Sequence, residues 1–464
     1  MNRWTWGWII IGIFAILIVF SRATSPELLK DSDTILILNG IKARGEPLSW
    51  FGSDWPLGNH FYRPVVSLLF EMDLALYGKN AAGFGLTNAL LAAMCVLSLF
   101  WLLREVTDNL WLSSLGASLF GMWNLFGSCL FLVWFGYAVC GISIVSLMIP
   151  GRPKGVGVLS FCAGLGLVYE LTCFAPFRYG IVEWLPGRTA SCATLFCLAA
   201  LACYARSLRI ASPMLETARG PLDPPATKGT IVAQKGLPLP WLASAALFEV
   251  VALCSYEQAV VLPGLMGIVA FAFVWKKYQV DWRPHIAFWL LLLIYLVLRY
   301  NVIPPGTSSY QEQQFRNSGG VFLSIFDYLF PAAREVLVVW RSFELGLGTV
   351  ILTQGLTMVV ILANVCLGWG LVKWLRKLVD RVERSLLVAV ALGFVASLFA
   401  FLPMAFLKPF GSLNHYHYFS LALRTLFVAA LLQITGEWLI CALSPQALQA
   451  PKRLAPAPGS LPRR

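Results

Sequence analysis

Apolar runs of about 20 residues, broken by Pro, Gly and charged positions, recur from one end of the chain to the other. They predict membrane helices near residues 82–103, 110–128, 129–149, 156–175, 189–205, 240–256, 258–275, 284–303, 347–372, 386–406 and 418–442. The runs 110–149 and 240–275 are too long for one helix each, so both are split. A further run, "WTWGWIIIGIFAILIVF", follows a short basic start. The "SRATSPE" behind it lacks a small-x-small cleavage site, so it reads as an uncleaved first span. The expectation is an all-α polytopic membrane bundle of about twelve spans. Short alternating segments, which a barrel needs, are not visible.

One stretch breaks the pattern. Residues 21–80 are rich in Gly, Pro, Trp and Asp. Within them "FYRPVVSLLFEMDLALYG" has a helical period but carries Glu71 and Asp73, which fits an interfacial helix better than a span. Residues 304–345 form a second long segment, with Arg316, Arg334 and Arg341.

Composition agrees with a membrane protein. The 464 residues are 58% hydrophobic and only 12% charged, about half the charge of a soluble domain. The net charge of +12 does not point to nucleic acid, because no basic stripe with interleaved aromatics is present. Instead Lys and Arg gather in the loop 206–239, in "KKYQVDWR", in "KWLRKLVDRVER" and in the Pro-rich tail 444–464, which reads as disordered. With twelve spans and a cytoplasmic start, all four basic segments fall in the cytoplasm, as the positive-inside rule requires. The eleven Cys sit mostly in apolar runs without ligand spacing and read as small core residues.

The opposite face then collects the chemistry. Asp31 and Asp33 stand in "LLKDSDTILILNG", followed by Asp54, His60 and Arg63. Arg178, Glu183 and Arg188 lie around "IVEWLPGRTA", Glu257 at a hinge between two short helices, and Arg299 at the end of its span. His415 and His417 open the last span, with Arg424 about two turns deeper. Taken singly, each has a plain structural role: an Arg snorkels, a Glu caps a helix, a loop Asp meets water. Together, acids and several Arg beside a bilayer suit a ligand with an anionic phosphate and an apolar tail. In that setting Glu183 and Arg188 would be lip residues of an outward pocket, turned inward by Pro186 and Gly187.

The quoted residues have a family likeness. "FYRPVVSLLFEMDLALYGKNAAGFGLTNALLAAMCVLSLFWLLRE" resembles the YRP segment and following span of GT-C membrane glycosyltransferases. The branch it is most similar to holds the protein O-mannosyltransferases with tetratricopeptide repeats and their bacterial relatives. "GIVEWLPGRTASCATLFCLAALACYAR", "LCSYEQAVVLPGL", "FWLLLLIYLVLRY" and "HYHYFSLAL" resemble later segments of that branch, in the same order. The resemblance covers about half of the chain, and no tetratricopeptide repeats follow. It implies transfer of a sugar from a polyprenyl-phosphate donor to a protein or glycan acceptor outside the cytoplasm, in a bacterial inner membrane. It implies a catalytic acid in "DSD", either Asp33 or Asp31, which would deprotonate the acceptor in a single inverting displacement. Arg63, Glu183, Arg188, Glu257 and Arg299 fall on its matching positions, while histidines stand where the family has a late Arg. The partners expected are the lipid-linked donor, membrane lipids and the acceptor, with no nucleic acid. No cofactor is implied, and a divalent metal is left open. Residues 1–443 would form the transferase unit. Two other readings fit the same pattern: a twelve-span secondary transporter, and an inactive lipid-binding assembly subunit.

Overall fold

The structure, a computed structural model, describes residues 3–21, 26–44, 46–126, 178–211, 238–303, 305–314, 384–407 and 414–443, with isolated positions between them. Among the described residues the chain is all-helical and has no strand. Twelve helices are numbered in chain order: α1 (Arg3–Phe20), α2 (Ser32–Arg44), α3 (Pro64–Tyr77), α4 (Ala81–Thr107), α5 (Leu110–Leu125), α6 (Arg188–Ala211), α7 (Leu239–Leu253), α8 (Leu262–Trp275), α9 (Arg283–Val302), α10 (Ser309–Gln314), α11 (Arg384–Ala405) and α12 (Asn414–Leu443).

Among the described residues six helical stretches are long and apolar enough to cross a membrane: Ala81–Thr107, Leu185–Ala211, Glu257–Trp275, Arg283–Val302, Ser385–Ala405 and His415–Ile434. Each lies on an expected apolar run. Trp4–Phe20 and Leu239–Leu253 are apolar but shorter. The expected spans 129–149, 156–175 and 347–372, most of 304–345 and the tail 444–464 lie outside the described residues.

Local chemistry sets the helix ends. Asn80 caps α4 by accepting from the Ala82 amide at 3.1 Å, and Asn109 caps α5 by accepting from Leu112 at 3.1 Å. Pro64, Pro263 and Pro284 stand in the first turns of α3, α8 and α9, where a missing N–H costs nothing. Asp108 closes α4 in the left-handed conformation, with φ of 55°.

Small residues bring the helices together. Ala89, Ala92 and Ala93 of α4 are buried in the same core as Ala193, Ala200 and Ala202 of α6. Such residues let backbones approach where lipid leaves no hydrophobic drive between helices. The contact of α11 with α12 is also backbone-close. A Cβ added at Gly393 would run into the backbone of Phe427.

The bundle has two distinct ends. At one, Arg206 and Arg209 reach Glu105, both at 3.4 Å, Arg209 meets Asp108 at 3.0 Å, and Lys276 donates to the carbonyls of Val106 and Thr107. At the other, α2 and α3 form a cap over the bundle. Its separate small core includes Ile37, Ile41, Trp50, Trp55, Val66, Phe70 and Leu185. At 14 residues α3 is not of membrane length. Glu71 accepts from the Trp50 indole at 3.0 Å, and Asp73 is buried.

Candidate functional site

Between the cap and the bundle lies a cavity of about 360 Å³. Five residues singled out in the sequence line it: Asp33, Arg63, Glu257, Arg299 and His415. They come from α2, the loop before α3, the turn before α8, the end of α9 and the first turn of α12. Aromatic rings complete the wall, among them Trp55, Phe61, Trp184, Tyr256, Tyr295 and Tyr416.

Arg63 and Glu257 form the firmest part of that wall. The Arg63 Nε and Nη2 donate to Glu257 Oε2 at 3.0 and 2.9 Å, while Oε1 accepts from the Tyr62 amide at 3.2 Å. The guanidinium lies over Phe61, Tyr256 and Trp55, at 4.2, 4.6 and 5.5 Å from their ring centres. Burial works against its charge, but Glu257 outweighs this and holds Arg63 above its ordinary value. Its Nη1 makes no hydrogen bond among the described residues, so the pair keeps a donor in reserve.

Arg299 has no carboxylate partner among the described residues. Its Nη2 donates to the His60 carbonyl at 3.2 Å, an oxygen that also accepts from Gln311 Nε2 at 3.2 Å. His60 holds a left-handed backbone, with φ of 62°. Asp54 fixes that turn, its two oxygens accepting from the amides of Trp55 at 2.7 Å and His60 at 3.0 Å. A loop fixed by Asp54 therefore carries the carbonyl that aims Arg299, and the remaining guanidinium donors make no hydrogen bond among the described residues.

The two acids of "DSD" are separated by their surroundings. Asp31 is the N-cap of α2. Its Oδ2 accepts from the Thr34 amide at 3.2 Å, from Thr34 Oγ1 at 3.3 Å and from the Trp184 indole at 3.2 Å. Asp33 has no hydrogen-bond partner among the described residues and lines the cavity. Its side chain reaches solvent, yet the protein around it strips part of its hydration. That burial, and then the charge of Asp31, push its carboxyl above the usual carboxylate range. Of the two acids, Asp31 is engaged and Asp33 faces the cavity.

Arg188 is elsewhere. It is fully buried and does not line the cavity. Its Nη2 bonds Asp73 at 2.6 Å and the Phe84 carbonyl at 3.3 Å, its Nε donates to Asn88 at 2.9 Å, and Nη1 donates to the Leu69 carbonyl at 3.4 Å. Phe70 covers one face of the guanidinium at 4.5 Å. With all three guanidinium nitrogens bonded to protein groups and the side chain buried, Arg188 is not the lip residue of an outward pocket expected from "IVEWLPGRTA". The turn itself explains this. A Cβ at Gly187 would strike the carbonyl of Gly180, so the segment doubles back tightly and sends Arg188 inward. Glu183 is half-buried in the bend before this turn and is not part of the cavity wall.

Two other candidates also lie apart from the cavity. Arg424 is buried and donates to the Tyr328 carbonyl at 3.0 Å, a bond within the bundle. His417 stacks with Phe401 and Tyr328, at 5.3 and 5.9 Å between ring centres. His415 belongs to the cavity, its ring 4.9 Å from that of Trp184. Arg178 sits in a short π-helical turn, and its side chain lies outside the described residues. Trp184 and Asp73 carry more of the architecture than their sequence context suggests, because their partners are 153 and 115 residues away.

No family model matches the chain, and neither a curated protein nor a solved structure matches it.

Proposed function

We propose that the chain is a twelve-span glycosyltransferase of GT-C type, taking a sugar from a polyprenyl-phosphate donor and passing it to a hydroxyl acceptor. The cavity end would face the outer side of a bacterial inner membrane, and the basic end the cytoplasm. The observation that carries the reading is one cavity holding Asp33, a carboxylate without hydrogen-bond partners among the described residues, and Arg299, a guanidinium without an acid among them. Leu296, beside Arg299, lines the cavity and is also exposed on the apolar face of α9, so the site borders the surface a bilayer would cover.

In the proposed step Asp33 takes the proton of the acceptor hydroxyl. The acceptor oxygen attacks the anomeric carbon, and the bond from that carbon to the phosphate oxygen breaks on the opposite side. Negative charge grows on the leaving lipid phosphate, where Arg299 and Nη1 of Arg63 can receive it. Asp33 then keeps the proton until it escapes to water. The raised carboxyl makes Asp33 a better base than an ordinary aspartate.

The test is transfer by purified protein in liposomes that contain polyprenyl-phosphate sugars. Asp33→Asn is expected to lower the rate on the order of 10²–10⁴-fold, as for loss of a general base. A wild-type rate in Asp33→Asn, or no transfer by the wild type from any such donor, would sink the reading.

A further inference from the structure

Trp184 touches both sides of the cavity mouth. Its indole N–H donates to Asp31 at the start of α2, and its ring faces His415 at the start of α12. Asp31 in turn holds the first turn of α2 through the Thr34 amide and hydroxyl, and its carbonyl accepts from Ile35 at 2.9 Å. Asp33 rides on that turn. From this geometry we infer that Asp31 and Trp184 are positioning residues for Asp33, with the indole fixing Asp31 and Asp31 fixing the turn that carries the base.

This inference rests on the transferase reading for its purpose but not for its geometry. Without the indole, Asp31 would keep only Thr34, its own neighbour on the helix, and nothing described would tie the start of α2 to α12. The charged groups around Asp33 are few. Lys30 and Asp31 lie on its own segment. On α3, Glu71 is turned to Trp50 and Asp73 to Arg188. Glu183 precedes Trp184, and Arg63, Glu257, Arg299 and His415 face the same cavity. Asp31 is the charge with the most direct bearing on whether Asp33 holds a proton.

Two variants separate the parts. Asp31→Asn still accepts from the Thr34 amide but loses the charge. Trp184→Phe keeps a ring against His415 but loses the N–H. The readout is carbodiimide labelling of Asp33 in the purified full chain, followed by peptide mass spectrometry across the acid pH range. It reports protonation without requiring turnover. In Asp31→Asn the labelling midpoint is expected to move to lower pH, because a neighbouring negative charge that favours the protonated form is gone. In Trp184→Phe hydrogen exchange over the first turns of α2 is expected to quicken. Where transfer is measurable, kcat should fall on the order of 10- to 100-fold with donor KM unchanged, the mark of a misaligned base. An unmoved midpoint in Asp31→Asn, or wild-type exchange in Trp184→Phe, overturns the inference. If the midpoint moves and exchange quickens while even the wild type transfers no sugar, the positioning stands and the transferase reading falls.

Discussion

Helix α3 is pinned at both ends by an arginine–carboxylate pair, and the two pairs differ in kind. Arg63, just before its first turn, meets Glu257 at 2.9 Å with side-chain exposures of 12% and 23%. Asp73, near its last turn, meets Arg188 at 2.6 Å with both side chains at 0%. In the sealed pair every guanidinium nitrogen is bonded, to Asp73 and to Asn88, Phe84 and Leu69, and Thr87 bonds the second carboxylate oxygen at 2.8 Å. Burial pushes the Asp73 carboxyl up against the pull of Arg188 and Thr87. The open pair lines the cavity and leaves Nη1 of Arg63 without a hydrogen bond among the described residues. An arginine in a membrane protein is therefore not a site because it is expensive to bury. It is a site when the structure leaves part of its hydrogen-bonding capacity unspent.

The largest effect should come from breaking the sealed pair. Arg188→Leu leaves Asp73 buried and alone, and is expected to cost about 3–5 kcal/mol in unfolding followed in detergent. Removing both charges, as Arg188→Met with Asp73→Leu, should restore most of that loss, since apolar pairs of similar volume often replace buried ion pairs at little cost. A stable Arg188→Leu single variant would erase the contrast between the two pairs.

Opening the other pair should act on function. Arg63→Lys keeps charge but loses the fork and its stacking on three rings, so transfer should fall by roughly tenfold or more. Its stability change should stay within about 1 kcal/mol. If thermal stability collapses instead, Arg63 belongs with Arg188 as a lock.

The acid side of the pH profile offers a subtler probe. In the proposed step Asp33 must be ionised to take the proton, and its carboxyl is raised by burial and by Asp31. Activity should therefore fall, as pH drops, at a higher pH than an ordinary aspartate would give, and Asp31→Asn should move that fall downward. The smallest effect is expected at the far end of the bundle. Arg206 lies 3.4 Å from Glu105, and its side chain is 37% exposed. Arg206→Gln should change stability by less than about 1 kcal/mol and leave transfer unaltered.

Much of the fold was legible in the sequence because helices of membrane length are local objects. Each described span lies on one apolar run, and a run declares itself within about 20 residues. The site was legible only in outline. That acids and arginines gather at one end followed from alternating the spans. Which of them face a cavity did not, since Arg188 and Arg63 stand in equally apolar surroundings in the chain. The partner of Arg188 lies 115 residues away and was visible only as an oddity of an interfacial helix. The roles within "DSD" carried a usable signal. Asp31 stands three residues before Thr34 at a helix start, the spacing of an N-cap with its amide. The indole of Trp184 carried none, for an aromatic residue in a loop beside a membrane reads as a belt residue.

The close approach of α11 and α12 has a mechanical consequence. With Gly393 pressed against the backbone at Phe427, no side chain fits between the two helices there, so they pack as one close-set plate. Pro403 and Met404 on α11, Leu407 just after it, and His415 and Tyr416 on α12 all sit on the cavity edge of that plate. They form one wall of the cavity, built on that direct backbone contact. On α9, Tyr295, Leu296 and Arg299 line the same cavity, and the end of that helix is held by the His60 carbonyl. A side chain added at Gly393 would therefore displace α11 from α12 and, with it, the wall of the cavity that they form.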